Sequence, residues 1–129
     1  MIPRYRAWDK IRKTMYRDED IVSIDLMESR IYVKTPFFEQ VNSYRLRDVD
    51  TMVSTGFTDK DGKDIFSGDI VMSRCGLFKG VITLKRDIGA YVISMIGYKD
   101  SVRLSVAANT TKIIGNKWEN PELLEERES

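Results

Sequence analysis

The chain has 129 residues, of which 42% are hydrophobic and 32% charged, and its formal net charge is +1. This composition is typical of a folded globular protein, because disordered chains carry far fewer large apolar side chains for this much charge. The sequence contains no histidine and one cysteine, Cys75. Without imidazole, Ser-His-Asp and Cys-His catalysis is excluded and a zinc site lacks its commonest ligand. We therefore expect neither a metal nor a cofactor.

The location of the protein is predicted from what the chain lacks. No apolar run approaches the ~20 residues that cross a bilayer, and the opening residues MIPRYRAWDK have no signal-peptide core. A single cysteine has no partner for an internal disulfide, which is typical of a reducing compartment. We expect a cytoplasmic protein that does not bind membranes.

The first part of the chain alternates apolar and polar residues in short runs, which predicts strands. Residues 5–8 and 14–16 flank a polar connection and predict a first hairpin, and residues 22–26 and 31–33 predict a second. Residues 37–53 fit either a strand or, in part, a helical turn, and we favour the strand. These elements predict a strand-rich N-terminal lobe over residues 1–50.

The clearest turn signal is the dipeptide Asp61-Gly62, which lies between two apolar runs. An Asp-Gly pair supplies the positive φ angles that a tight hairpin turn requires. The acids around it also invite a calcium interpretation. With its glycine at Gly62, however, a calcium loop would begin at Phe57 and end at Gly68, and neither residue supplies a carboxylate. We predict a hairpin and no metal site.

Short strands separated by turn residues continue at intervals of roughly 8–12 residues, which is typical of a small sandwich or barrel. Gly68-Asp69-Ile70-Val71, a basic loop and Gly80-Val81 are similar to the opening of an SH3-like barrel. We predict such a barrel over residues 51–116, including a strand over residues 102–106. A cap helix is expected over residues 117–129, with the whole chain packed as one compact, mainly β unit.

Charge is distributed unevenly along the chain. Residues 18–28 carry five acids and no base, and residues 71–116 carry seven bases and two acids. Lysine and arginine neutralise phosphates and aromatic rings stack on unpaired bases, so the basic segment predicts a nucleic-acid-binding face near Phe78, Tyr91 and Tyr98. The alternative is that these bases only solvate the outer faces of strands. The predicted nucleic-acid-binding residues are Arg74, Lys79, Lys85, Arg86, Lys99 and Arg103.

Three blocks of the sequence resemble the YopX family of phage and prophage proteins and occur in the family's order. They are RAWD at residues 6–9, STGFTDKDGKDIFSGDIV at residues 54–71 and IGNKWENPELL at residues 114–124. The chain departs from the family at Phe57, where leucine is usual, and at Trp118, where tyrosine is frequent. The resemblance implies a small, mainly β protein of temperate phages inside a bacterial host, and it brings no catalytic or binding residues to this chain.

The distinctive residues of these blocks have structural roles in our interpretation. The glycines are expected at turns, the two acids as caps of backbone turns, and Asn120 as the cap of a helix whose first position is Pro121. The predicted structural residues are Trp8, Asp9, Gly56, Gly62, Gly68, Asp69, Trp118, Asn120 and Pro121.

The sequence therefore predicts a non-catalytic phage accessory protein that acts by binding a host or phage protein. The acidic segments 18–28 and 117–129 would face a basic partner, and open strand edges would allow strand addition or self-association into a homo-oligomer. The alternative is a nucleic-acid-binding protein that uses the basic face of residues 71–116. We expect no enzymatic activity, because no spacing among the 20 acids singles out a general acid and a base.

Overall fold

The computed structural model describes residues 4–34, 40–73 and 76–125. The chain is mainly β, as the sequence predicts. It divides into two compact units, Met1–Val53 and Ser54–Ser129, which we call the N-terminal and C-terminal units. None of the helices in the described ranges has the length and apolar character needed to traverse a lipid bilayer.

The N-terminal unit contains two antiparallel arrangements of strands. Its strands are β1 (Tyr5–Asp9), β2 (Thr14–Tyr16), β3 (Ile21–Asp25), β4 (Arg30–Lys34), β5 (Val41–Arg45) and β6 (Val49–Thr58). The central strand β1 pairs with β2 and with the first part of β6, and β3, β4 and β5 form a sheet in that order. Both predicted hairpins are confirmed, as β1–β2 and β3–β4.

Residues 37–53 do not form one continuous strand. Residues 37–39 lie outside the described residues, and the remainder divides into β5, a single 3₁₀ turn over Leu46–Asp48 and the start of β6. Both interpretations of this segment are therefore partly right. The 3₁₀ turn allows the chain to leave one sheet at Arg45 and enter the other at Val49.

Alternate residues of the N-terminal strands build its core. Ile31 and Val33 are buried on one face of β4, as the period-two pattern requires. They join Ala7, Tyr16 and Val49 in a single apolar cluster. The predicted alternation thus separates a buried face from a solvated one.

The C-terminal unit contains strands β7 (Asp64–Phe66), β8 (Asp69–Ser73), β9 (Lys79–Lys85), β10 (Ala90–Met95), β11 (Ser101–Arg103) and β12 (Thr111–Asn116), and the helix α1 (Leu104–Ala107). Five of these strands form an antiparallel sheet in the order β11-β10-β9-β8-β12. The end of β6 pairs with β7 across the predicted Asp61-Gly62 hairpin. The core of the unit contains Ile65, Ile82 and Ile93, each almost fully buried.

The strand predicted over residues 102–106 is wrong in its second half. β11 ends at Arg103, and α1 begins at Leu104. A helical turn places Leu104 and Ala108, four residues apart, together in the core, and leaves Val106 73% exposed. Burial of two side chains on one helical face therefore overrides the local alternation.

The predicted C-terminal helix is present as a single 3₁₀ turn over Pro121–Leu124, with Pro121 at its first position. Asn120 occupies the N-cap position, as predicted, but its side chain makes no capping hydrogen bond. Asn120 Oδ1 instead accepts a hydrogen bond from the Asn116 N–H at 3.1 Å. This side chain therefore closes the turn that follows β12.

Candidate functional site

A concave surface with a volume of about 430 Å³ crosses β9 and β10 in the C-terminal unit. We call it the basic groove. Lys85 and Arg86 line it at the end of β9, and Lys99 lines it from the connection between β10 and β11. Its floor includes Thr83, Val92 and Ser94. Three of the six basic residues predicted from the sequence therefore come together at one groove.

Strand register explains which side chains share the face of this groove. Thr83 pairs with Val92, and Val92 pairs with Arg103 on the next strand, so these three lie on the same face of the sheet. Lys79 is four residues before Thr83 on β9 and has the same orientation. Arg103 and Lys79 thus belong to the groove's face, although they do not line the groove itself.

The cations of this face have no acidic partner within the described ranges. None of Lys79, Lys85, Arg86, Lys99 and Arg103 forms an ion pair there. Among the described residues, no carboxylate lies within ion-pair distance of these cations. The sixth predicted residue, Arg74, lies outside the described residues, as does Cys75.

The three aromatic residues expected near the basic face separate in the structure. Phe78 and Tyr91 pack against the apolar core of the C-terminal unit. Tyr98 is 64% exposed and lines the basic groove beside Lys99. Only Tyr98 of these three rings is therefore placed to stack on a ligand in the groove.

A larger, mostly apolar groove of about 580 Å³ lies in the N-terminal unit. We call it the β3 groove, because four consecutive residues of β3, Ile21 to Ile24, line it. Consecutive strand residues point to opposite faces, so a groove that touches all four runs along the edge of the strand. Among the described strands β3 pairs only with β4, which leaves this edge open. Tyr5, Leu46 and Thr51 complete its walls.

The acidic segment 18–28 forms part of the β3 groove. The Asp18 carboxylate lines the groove and accepts a hydrogen bond from the Tyr5 N–H at 3.2 Å. Asp25 serves the turn after β3, where its Oδ1 accepts from the N–H groups of Met27 and Glu28, both at 3.0 Å. The sequence patterns did not identify the β3 groove, because the residues of a strand do not by themselves determine which strands lie beside it in the sheet.

The acidic segment 117–129 is described only as far as residue 125. Within it, Glu119 Oε1 accepts a hydrogen bond from Asn116 Nδ2 at 2.9 Å. Glu122 and Glu125 are exposed. These two glutamates provide a solvated acidic patch that adjoins no described groove.

Asp9 ends strand β1 and lies at the turn that leads to β2. Its side chain is fully buried, and the preceding residue, Trp8, is only 9% exposed. The Asp9 carboxylate accepts hydrogen bonds from the Arg12 N–H at 2.9 Å and the Tyr16 hydroxyl at 2.7 Å. Burial raises the pKa of the Asp9 carboxyl, but these bonds, with that from Ile11, outweigh burial and hold its pKa below the usual value. Burial and the bond to Asp9 raise the pKa of Tyr16.

A second structural acid, Asp59, is not distinguished by the sequence patterns from its acidic neighbours. It is 3% exposed and accepts hydrogen bonds from the N–H groups of Asp61, Lys63 and the distant Ile113 at 2.9, 3.0 and 3.1 Å. Burial raises the pKa of Asp59, but these three bonds lower it by more. The carboxylate therefore joins the β6–β7 turn to strand β12.

Gly68 and Asp69 lie where the chain passes from β7 to β8. Asp69 is fully buried and accepts a hydrogen bond from the Phe66 N–H at 2.9 Å. Gly68 has a φ of +86°, and the ring of Trp118 lies directly where a side chain at Gly68 would be. Asn116, which the sequence patterns do not single out, holds this arrangement through its Oδ1, which accepts from the Trp118 N–H at 3.1 Å.

The other two glycines differ in their surroundings. Gly62 occupies the predicted hairpin turn with a φ of +78°. Gly56 has a φ of +84° but lies within β6, where the register with β7 shifts, and not at a turn between elements.

Among the described residues, no cluster of three histidine, cysteine, aspartate or glutamate side chains is arranged to hold a metal ion.

Comparison with known proteins gives a family and two solved structures. A model of the family described as YopX protein matches residues 4–125. Protein EF1440 from Enterococcus faecalis is 23% identical with a TM-score of 0.68, covering 97% of this chain and 99% of that one. Protein yopX from Bacillus subtilis is 21% identical with a TM-score of 0.63, covering 99% of this chain and all of that one. At these identities the similarity to the two solved structures shows a common fold. The comparison with curated proteins found no match to the chain.

Proposed function

Since the chain belongs to the YopX family, whose model matches residues 4–125, we propose that it is a non-catalytic phage accessory protein that binds a host or phage protein. The observation that carries this proposal is the β3 groove, an apolar channel along an open strand edge with a carboxylate, Asp18, in its wall. The bound segment is an extended peptide of the partner that presents aliphatic and basic side chains.

The chemistry of the grooves supports a non-catalytic role. General acid-base catalysis by carboxylates uses a pair of groups, one to donate and one to accept a proton. Among the described residues, the β3 groove is lined by one carboxylate, Asp18, and the basic groove by one, Asp100. The two carboxyls with perturbed pKa values, Asp9 and Asp59, are buried in turns where backbone N–H groups use their oxygens.

The walls of the β3 groove define the partner's chemistry. Ile21, Ile24 and Leu46 are each partly exposed and offer an apolar surface to aliphatic side chains. The open edge of β3 offers backbone donors and acceptors, and an extended peptide satisfies them by adding a strand. The Asp18 carboxylate favours a lysine or arginine on that peptide.

Site-specific photo-crosslinking tests this proposal. A photoreactive amino acid replaces Val22, which lines the groove and is 49% exposed, in bacteria that carry the phage. The matched control is Val106, an exposed valine of the C-terminal unit. We expect a covalent adduct with a host or phage protein from position 22 and not from position 106, and Asp18→Lys should diminish it. A missing adduct, or one that joins two copies of this chain, would contradict the proposal.

A second candidate function is nucleic-acid binding by the C-terminal unit. The observation that favours it is the convergence of Lys85, Arg86 and Lys99 on the basic groove without ion pairs to described acids. Three such cations neutralise phosphates and release counterions. Electrophoretic mobility shift with DNA and RNA at low salt tests it. The Lys85→Ala variant should bind more weakly and the Lys112→Ala control, an exposed lysine of β12, should not. Absence of any shift at micromolar protein would exclude this function.

We also propose that the five-stranded sheet is the SH3-like barrel predicted from the sequence. Strands β8 to β11 follow one another as a meander, and β12 returns to pair with β8 after the helical segment that begins with α1. This order supports the assignment, since an SH3-like barrel joins its last strand to its first in the same way. The connections that flank β10 then lie at the two ends of the basic groove.

A further inference from the structure

We infer that the basic groove binds single-stranded nucleic acid in preference to duplex. This inference rests on the nucleic-acid function proposed above as the second candidate. Its structural basis is an arrangement of charge, floor and aromatic ring along strand β10. Cations stand at both ends of this strand, small side chains form the floor, and one exposed ring, that of Tyr98, borders it.

The length of β10 sets the span of the ligand. Lys85 and Arg86 lie just before the strand and Lys99 just after it. The strand Ala90–Met95 has six residues, which corresponds to about 20 Å at ~3.3 Å per residue. A short stretch of extended single strand covers that distance, with phosphates near Lys85 and Arg86 at one end and a base near Tyr98 at the other.

The floor of the groove suits unpaired bases. Thr83, Val92 and Ser94 present short side chains on one face of the sheet, which leaves room for flat rings to lie above them. Tyr98 is 64% exposed at the rim. Aromatic side chains bind single strands by stacking on base faces, and those faces are accessible only where the bases are unpaired.

The end of the groove near Tyr98 has its own charge balance. Asp100 lines the groove next to Lys99 and places a negative charge there. Phosphates are therefore favoured at the end with Lys85 and Arg86, and a base is favoured at the end with Tyr98. A surface with one phosphate-binding end and one stacking end fits a single strand better than a uniformly charged duplex backbone.

Among the described residues, the C-terminal unit has no helix long enough to read a duplex. Sequence-specific duplex recognition inserts a helix or a two-stranded ribbon into a major groove ~12 Å wide. The helix α1 has four residues, and its Leu104 is buried in the core. Within the described residues the basic face is concave where a duplex would require a projecting element.

Fluorescence anisotropy with labelled 12-nucleotide single strands and the matching 12-base-pair duplex tests the inference. We expect the full chain to bind the single strand at least about tenfold more tightly than the duplex. The Tyr98→Ala variant should lose about tenfold in single-strand affinity, the typical effect of one stacked base, and Tyr98→Phe should retain it. The affinity of the duplex should be unchanged in both variants.

Salt dependence gives an independent readout. With two phosphates neutralised at the end with Lys85 and Arg86, the logarithm of single-strand affinity should fall with the logarithm of salt concentration with a slope of about −1.4, since each contributes ~0.7. The Lys85→Ala variant should reduce that slope by about 0.7, whereas the Lys112→Ala control keeps the full slope. Equal or tighter duplex binding, or a Tyr98→Ala variant that binds like the parent, would overturn the single-strand inference alone. Failure to bind either nucleic acid would refute the second candidate function itself.

Discussion

A single methyl group at Gly68 should destabilise the protein strongly, because the site is restricted in two ways. Gly68 has a φ of +86°, a conformation in which side chains are strained, and a Cβ there would lie closer than 3.0 Å to two ring atoms of Trp118. The Gly68 N–H donates to the Ile82 carbonyl at 2.8 Å, and its carbonyl accepts from the Lys117 N–H at 3.0 Å. These bonds prevent the backbone from moving away from the ring.

The magnitude follows from the two restrictions. A non-glycine residue with left-handed φ costs about 1–2 kcal/mol, and forcing an extra methyl group into a filled site costs about 1–3 kcal/mol. Gly68→Ala should therefore lower the free energy of unfolding by about 2–5 kcal/mol. The matched control is Gly62→Ala, where φ is +78° but no atom lies within 4 Å of the added Cβ. That variant should lose only about 1–2 kcal/mol.

Urea denaturation followed by fluorescence or circular dichroism measures both variants, and a double-mutant cycle isolates the ring contact. In a Trp118→Ala background the clash is absent, so Gly68→Ala should cost only about 1–2 kcal/mol of backbone strain. The reasoning is refuted if Gly68→Ala and Gly62→Ala are equally stable, or if Gly68→Ala costs the same with and without the Trp118 ring.

Three further substitutions test the structure in the same denaturation assay. Asp59→Asn should lose about 1–3 kcal/mol at pH 7 relative to the exposed control Asp61→Asn. Folding lowers the pKa of Asp59, so the Asp59 carboxylate stabilises the folded state fully at pH values above its ordinary pKa of 3.8. This stabilisation is lost as the pH falls through the lower, folded-state pKa. The difference between these two variants should therefore shrink in acid, and a constant difference would contradict this. Tyr16→Phe removes a donor from buried Asp9 and should cost about 1–2 kcal/mol at neutral pH; an unchanged stability would refute the role of that bond. Ile93→Ala empties a fully buried site and should cost about 2–5 kcal/mol, so a loss below 1 kcal/mol would contradict the core assignment.

The strand pattern of this protein is largely predictable from its residues. The hairpins β1–β2 and β3–β4 follow from period-two alternation and polar connections, and Asp61-Gly62 marks the turn between β6 and β7. These features are local, since a few neighbouring residues determine the favoured φ and ψ angles. The family assignment rests equally on sequence blocks and is confirmed by the match over residues 4–125.

Prediction from sequence fails where a distant contact overrides a local preference. Residues 102–106 have the period-two pattern of a strand, but the burial of Leu104 together with Ala108 in the C-terminal core selects the helix. Asn120 has a residue type suited to capping, but its Oδ1 is engaged by the Asn116 N–H. Asp59 cannot be distinguished from neighbouring acids until β12 brings the Ile113 N–H to it.

The sequence by itself determined the mainly β class, the turns and the inventory of basic and acidic side chains, because these depend on residue type and close spacing. Only the tertiary structure decided that Lys85, Arg86 and Lys99 share one groove, that Tyr91 faces the core while Tyr98 faces solvent, and that β3 has an open edge. The physical reason is that register and sheet order arise from pairing between distant segments. A shift of one residue exchanges the two faces of a strand, so surfaces built from several strands exist only once the sheets have formed.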